Sequence, residues 1–595
     1  MNITIIPTEY MELTEGERRL LNKIKRLYEN IDRECYLYIQ PRLRNLNPDY
    51  ILIDNLKGIC ILEVKDWSIG YLEEVNRRSV VTIDKRKVTN PILKGNQYFN
   101  LAKGLFESED SLLNDEGILK AKLYSRIVFT NLSSLDIENN ELVDVFYQPP
   151  TTYITSDNMQ SLKIDDLFGF ECCNLDNEDL QGLRAILFPE VRMFEKLNED
   201  TGDKIIKALD IKQEKIAKRV PYGHYMVTGV PGSGKTVILI ARAIFLVQTN
   251  PDWKIRIVTY NKCLKRKIEN SLKEKDEHCR LMNIHLENIS VTTFHKMALD
   301  IANVKVPGKT TAEWWPVILP NIALEKAASI YDAILIDEYQ DFYDDWIRLC
   351  VKLCKTYKYR NSKDEEVEGI NLFMAGDRLQ SIYNPTDLSW KSLGIDMRGR
   401  SELLKKSYRS GKNHINLALD FLMIEPSLKK EVENFYDGRS DIDNESSSNS
   451  EVEFLEGKYN CVNILLKGLL DKGYYKPKDI LVLCKTKKTC ESLFSQLDND
   501  IRNNTQVTKE PDDKHIIITT YHSSKGLEAP VCILMDVDEF SEKNIIENDI
   551  KKRKLLYVGI TRASERLYIH AKNYNNDSFA RQLKEFYNNT KVNGK

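Results

Sequence analysis

GVPGSGKT at 229–236 decides the reading of this chain. The stretch fits the spacing G-x-x-x-x-G-K-[ST] throughout. It follows a strand-like run, YMVT (225–228), and opens an apolar helical run, TVILIARAIFLV (236–247). Strand, glycine-rich loop and helix start, in that order, make a phosphate cradle. The glycines let backbone N–H groups turn inward, and the helix N-terminus adds a favourable dipole. Gly229, Gly232, Ser233 and Gly234 form the expected loop. Lys235 is expected to reach the β- and γ-phosphates of ATP, and the Thr236 hydroxyl to ligate Mg2+. A second element, YDAILIDEYQDF (331–342), carries an apolar strand that delivers Asp337 and Glu338 at its carboxyl end. Ligands bind at that edge in open α/β sheets. Asp337 is expected to hold Mg2+, and Glu338 to orient and deprotonate the attacking water.

Outward from this core, 595 residues exceed what one hydrophobic core holds, so several domains are expected. After about residue 200 the pattern alternates strand and helix, the mark of parallel sheets covered on both faces. No apolar run reaches the ~20 residues of a membrane span. The opening MNITIIPTEYMEL lacks a basic leader, so a cytoplasmic location without a membrane partner is expected. Twelve cysteines occur without a C-x-x-C pair or a Cys/His cluster, which makes them buried hydrophobes of a reducing compartment rather than a metal or disulfide framework. The first 200 residues hold Cys35, Cys60, Cys172 and Cys173, two of them adjacent, so an iron–sulfur cluster is set aside. A net charge of −3 excludes a uniformly basic coat but not a basic groove, and basic stretches lie at 261–270, 352–360 and 551–554. The acidic, serine-rich 437–453 reads as a linker, and the Asn/Lys-rich chain beyond 571 as a fraying end.

With these motifs in order, the chain resembles the superfamily 1 helicases of the UvrD/Rep/PcrA group. DEYQDF looks like that family's DExQD box, and MAGDRLQSIY (374–383) like its GDxxQSIY motif, which implies that Gln380 senses the γ-phosphate. LKKSYRS (404–410) is similar to L-x-x-N-YRS, with Ser407 in place of the usual Asn; the resemblance stacks Tyr408 on adenine and sets Arg409 on the γ-phosphate. TTYHSSKGLEAPVCIL (519–534) resembles T-x-H-x-x-KGLE, with Glu528 near the ribose, and LLYVGITRASERLYI (555–569) puts Arg562 opposite the γ-phosphate. Gln213 in LDIKQEKIA matches the adenine-reading glutamine.

For the strand-binding face, TYNKCLKRK (259–267) and TTFHKMA (292–298) resemble single-strand contact motifs. The candidates for single-stranded DNA are Tyr260, Asn261, Phe294, His295, Trp390, Thr520 and His522. The family usually has an aromatic where Thr259 stands here, and Phe294 reads equally well as core. Only about 110 residues separate Arg409 from Thr520, where well-studied members carry a large insertion domain. The resemblance therefore implies a stripped motor core, with ATPase activity, strand translocation and 3′-to-5′ movement.

In the N-terminal part, 13–30 reads as an amphipathic helix with Leu20, Leu21, Ile24 and Leu27 on one side, and DYILID (49–54) and GICILEV (58–64) as a hairpin about NLK. Glu63 lies fourteen positions after Asp49, and Glu63 and Lys65 share a strand face. Two carboxylates can hold Mg2+ while a lysine positions the nucleophile. This P-D…E-x-K layout resembles the restriction-endonuclease-like nucleases. Residues 10–130 resemble the nuclease-related domain called NERD, with Glu17, Trp67, Gly70 and Gln97 at further matching positions. Thr14-x-x-Glu17 is equally a capping box, which accounts for Glu17 without metal chemistry.

The expected fold class is α/β: a restriction-endonuclease-like domain over 1–195, then two RecA-like P-loop lobes over 205–398 and 399–595. Two functions stay open. One is an ATP-driven motor coupled to a nuclease, suited to DNA repair or anti-phage defence. The other is an ATP-gated DNA-binding switch acting on a protein partner or oligomer.

Overall fold

The structure is a computed structural model. It describes residues 3–7, 13–196, 204–219, 223–360, 366–382, 390–393, 395, 400–408, 410–436, 450–471, 473–508, 514–540, 546–574 and 578–593. Arg409 and most of the acidic stretch, 437–449, lie outside these.

The N-terminal sheet runs in the order Ile3–Ile6, Cys35–Ile39, Tyr50–Asp54, Gly58–Lys65, Leu123–Phe129, Thr151–Ile154. The expected hairpin forms, with Tyr50 opposite Leu62 and Asp54 opposite Gly58. Its apolar runs are continuous because both faces are covered. Tyr50, Leu52, Cys60 and Leu62 pack under the helix Glu15–Leu27 through Leu20, Leu21 and Ile24. Ile51, Ile53, Ile59 and Ile61 point the other way, onto the helices Pro91–Glu107 and Asn177–Leu187.

Each of the next two sheets is parallel throughout. The first is ordered Ile289–Thr293, Ile255–Thr259, Ala333–Asp337, Leu372–Gly376, Tyr225–Gly229, Ser401–Leu404. The second is ordered Glu451–Glu456, Ala563–Ala571, Ala529–Leu534, Ile480–Cys484, Ile516–Thr520, Thr505–Val507. Two helix-covered parallel sheets fit a pair of RecA-like lobes. In the first, Thr228 pairs with Gly376 and Asp337 with Ala375, so the phosphate-loop strand and the acidic strand flank Leu372–Gly376 and end at the same carboxyl edge.

Several expectations change. The strand Ser401–Leu404 hydrogen-bonds to Tyr225–Gly229, so the first lobe continues past 398, where composition placed its end. Residues 451–453 of the expected linker begin a strand, because Val452 is buried against the second lobe. The end beyond 571 forms the helix Phe579–Asn593, with Phe579, Ala580 and Leu583 buried and Phe579 edge-on to Phe421. Its Asn and Lys residues had hidden that apolar stripe. The hairpin Arg192–Lys196 with Lys204–Ala208 spans the expected 195–205 boundary. There the N-terminal domain and first lobe share one hydrophobic core, in which Tyr36, Tyr38 and Phe188 join Ile238, Leu239 and Ile244. Among the described residues, no helix is long and apolar enough to cross a membrane.

Candidate functional site

The phosphate loop leaves the strand Tyr225–Gly229 and enters the helix Lys235–Thr249. Gly234 has φ 82° and serves as the helix N-cap, and a Cβ there would strike the side-chain amide of Gln213. Only glycine meets both demands. The Gln213 amide donates to the Ser233 carbonyl at 2.9 Å. The Lys235 ammonium donates to the Gly229 and Val230 carbonyls at 2.9 Å each, inside the loop it is expected to serve.

The Thr236 hydroxyl donates to Asp337 at 2.8 Å. Two oxygen donors brought together at a buried carboxylate fit a small, hard divalent cation. Burial, and then the charge of Glu338, push the Asp337 carboxyl up to about 7. Burial opposes charge on Glu338 too, but Lys525, Lys235 and Arg562 outweigh it and hold that carboxyl below its ordinary range. Glu338 adopts φ 57°, a left-handed conformation that non-glycine residues avoid, and the Gln340 amide donates to its carboxylate.

From the second lobe, Arg562 donates to the Gln380 side-chain oxygen at 3.1 Å, and to the Val558 and Leu527 carbonyls at 2.9 and 3.2 Å. Sequence reasoning gave no role to Lys525, the lysine of the KGLE box. Only 2 % exposed, it sits 2.6 Å from Asp341 and 3.5 Å from Glu338, and donates to the Gln380 carbonyl at 3.0 Å. It thus joins the second lobe to the acidic box of the first. Lys525→Met is expected to lower kcat for ATP about tenfold or more, since Glu338 loses the foremost of the three cations that stabilise its charge. Steady-state ATPase assays check this, and unchanged turnover would make the pairing incidental.

Ser407 stands where the family pattern has Asn, and its buried hydroxyl donates to the Pro231 carbonyl at 2.9 Å. That bond ties Ser407 to the phosphate loop. The Tyr408 N–H donates to Gly232 at 3.1 Å, leaving its half-exposed ring beside the loop. Glu528 pairs with Lys267 of the first lobe at 2.6 Å, so its expected ribose role competes with that bond.

The strand-binding candidates divide. Phe294 is fully buried and stacked on Trp346, ring centroids 4.2 Å apart, so it is a core ring and no platform for a base. It opens a helix whose Met297 and Ala298 face the same core. Half-buried His295 meets Trp315 edge-on, and burial pushes its imidazole down to about 4. Half-buried Tyr260 lies nearly parallel to Trp346, and Trp390 packs edge-on to Tyr339. Asn261 caps the helix Lys262–Leu281 by accepting from the Leu264 N–H at 2.7 Å; its amide donates to the Lys525 carbonyl at 3.3 Å. Thr520 bonds Ser523, and burial, then Lys551, lower the pKa of neighbouring His522.

In the N-terminal sheet, Asp49 accepts from the Val64 N–H at 2.6 Å, and Glu63 is 2 % exposed. Glu63 takes the ammonium groups of Lys65 and Lys94 at 2.7 Å each and the Tyr98 hydroxyl at 2.8 Å. Burial, then the Glu63 charge, raise the Asp49 carboxyl to about 7; at Glu63 the two lysines outweigh burial and lower it. Lys94 and Tyr98 went unnoticed in the sequence, though their i, i+4 spacing on the helix Pro91–Glu107 was available. Gln97 on that helix faces solvent, Trp67 packs beside Phe129, and a Cβ at Gly70 would meet open space. Glu17 forms the capping box with Thr14. Among the described residues, no group of three or more His, Cys, Asp or Glu is placed to hold a metal, although the Glu17 charge reaches Asp49 and adds to the rise of its carboxyl. Asp49 and Glu63 feel each other's charge and offer oxygen ligands that suit Mg2+, with the two ammonium groups competing for Glu63.

No curated protein matches the chain in sequence. It is similar to the solved structure of the arterivirus nonstructural protein 10 helicase, at 14 % identity, with 64 % of this chain and 68 % of that one covered and a TM-score of 0.29. It is also similar to the C-terminal domain of a possible DNA helicase from Lactobacillus plantarum, at 16 % identity, with 28 % and 87 % covered and a TM-score of 0.20. At such scores neither likeness bears weight. Residues 212–386 match an AAA domain, and residues 515–570 match the UvrD-like helicase C-terminal domain. Together these two stretches support a UvrD-like helicase with ATPase activity.

Proposed function

We propose that the chain is an ATP-driven DNA helicase or translocase of the UvrD-like type, whose N-terminal domain is a NERD-type, restriction-endonuclease-like nuclease dependent on Mg2+. One observation carries the motor reading. Lys235, Thr236, Asp337 and Glu338 of one lobe meet Lys525 and Arg562 of the other around Gln380. Phosphoryl transfer needs positive charge where negative charge develops, and these groups supply it from both sides. Thr236 and Asp337 would hold Mg2+, which neutralises phosphate charge when bound. Glu338, kept ionised by Lys525, orients and deprotonates water, while Gln380 links Arg562 to the triphosphate. Closure of the lobes on ATP and their parting after hydrolysis would drive movement along a strand. In the N-terminal domain, Asp49 and Glu63 would hold the nuclease Mg2+, with Lys65 positioning the attacking water.

The purified full-length protein tests both activities. Single-stranded DNA should stimulate ATP turnover, a partial duplex should be unwound with ATP present, and cleavage should require Mg2+. ATPase activity without strand displacement would favour the ATP-gated switch instead. Two observations support that second reading: Phe294 is core, and Lys525 already ties the lobes together. A wild-type protein that neither binds nor hydrolyses ATP would end the motor reading.

A further inference from the structure

Gln213 and Glu214 are neighbours on the short helix Ile211–Ala217 but serve different parts of the molecule. Gln213 turns to the phosphate loop, where it bonds Ser233. Glu214, fully buried, turns to the N-terminal domain. There its carboxylate accepts from the Arg184 guanidinium, from the Tyr38 hydroxyl at 3.2 Å, and from Lys218 at 2.9 Å. Arg184 in turn donates to the Tyr38 hydroxyl at 3.0 Å and to the Leu209 carbonyl at 2.8 Å. Lys218 pairs with Glu190 at 2.8 Å and lies over the Phe188 ring. Two carboxylates thus meet two cations, all but sealed from water.

Such a cluster is a poor way to gain stability, because desolvating four charges offsets much of their attraction. Its value is orientational. Glu214 and Lys218 lie one turn apart, so pairing with fixed partners on the helix Asn177–Leu187 and the strand Cys35–Ile39 sets how the short helix is rotated. That rotation places the Gln213 amide above Gly234, where a Cβ would strike it. After giving one N–H to Ser233, Gln213 keeps a second N–H and its carbonyl oxygen, the donor–acceptor pair that matches the N6/N7 edge of adenine.

We propose that Glu214 is a positioning residue of the nucleotide site, and that the N-terminal domain, through Arg184 and Tyr38, sets that site's affinity and preference for adenine. The inference rests on the ATP-binding reading above. The N-terminal domain is then part of the motor's nucleotide site from behind, in keeping with the core the two regions share.

The test is equilibrium titration of ATP and GTP, beside steady-state turnover of each, with wild type, Glu214→Gln, Tyr38→Phe, Gln213→Ala and the Gln213→Ala/Glu214→Gln double variant. Glu214→Gln is expected to weaken ATP about tenfold and GTP much less, raising KM while kcat holds. The double variant should be no worse than Gln213→Ala alone, because both changes remove one interaction. Tyr38→Phe keeps every ion pair and should shift selectivity the same way by less; it carries the test if Glu214→Gln fails to fold. Equal weakening of ATP and GTP, or losses that add to those of Gln213→Ala, would reduce Glu214 to a structural role and overturn the inference. Wild type that prefers ATP beside variants with intact preference sinks this inference alone. Wild type that binds neither nucleotide sinks the ATP reading and the inference with it.

Discussion

Lys235→Ala is expected to lower kcat/KM for ATP by about 10³-fold or more, a loss of about 4 kcal/mol of transition-state stabilisation. The ammonium stands within the phosphate loop, held by two of its carbonyls, and its charge opposes the burial-driven rise at Asp337 and helps to hold Glu338 low. Removing it takes away positive charge where phosphoryl charge develops, and leaves two neighbouring carboxylates with one cation fewer. Lys235→Arg should rescue little, since a planar fork does not replace a compact point charge in a closed loop. The fold should survive, because the helix behind Lys235 is anchored by Ile238, Leu239 and Ile244 rather than by the lysine. Steady-state ATP hydrolysis with and without single-stranded DNA, beside a thermal melt, separates these effects. A variant retaining a tenth or more of wild-type turnover would remove Lys235 from the chemistry.

What the sequence made legible was local. The phosphate loop, the Asp337–Glu338 strand end and the Asp49…Glu63-x-Lys65 hairpin each lie within one or two adjacent elements, so spacing and period suffice to place them. What it hid depends on how distant elements pack. Lys94 and Tyr98 reach Glu63 from a helix some thirty residues on, and nothing in PILKGNQYFN says which face meets the sheet. Lys525 was visible as part of a motif, but its pairing with Asp341 exists only once the lobes face each other. Aromatic residues misled for the opposite reason. Phe294 fits a base-stacking motif and a core position equally well, and only its complete burial against Trp346 decides. The domain boundary was obscured because Tyr38, Arg184 and Glu214 stitch the N-terminal domain to the first lobe, whereas composition marks only loops.

Glu63→Gln is expected to reduce Mg2+-dependent DNA cleavage by about 10³-fold while ATP turnover stays near wild type. The substitution keeps the size of the side chain and removes its charge. Tyr98 still finds an oxygen acceptor, but Lys65 and Lys94 lose the carboxylate that holds both ammonium groups at 2.7 Å. Both lysines are partly exposed, so water can take them up and the fold should lose little. Cleavage suffers because Asp49 is left alone: a single carboxylate binds a divalent ion weakly, and Lys65 no longer has a fixed place from which to position water. Two comparisons sharpen the result. Tyr98→Phe removes the hydroxyl shared between Glu63 and the Asn47 carbonyl and no charge, so a loss of only about tenfold is expected. Asp49→Asn should match Glu63→Gln, because the two carboxylates act as one pair. ATP hydrolysis is the internal control, since neither Asp49 nor Glu63 belongs to the nucleotide site. If cleavage survives in both carboxylate variants at wild-type rate, the N-terminal sheet grips DNA and cuts nothing.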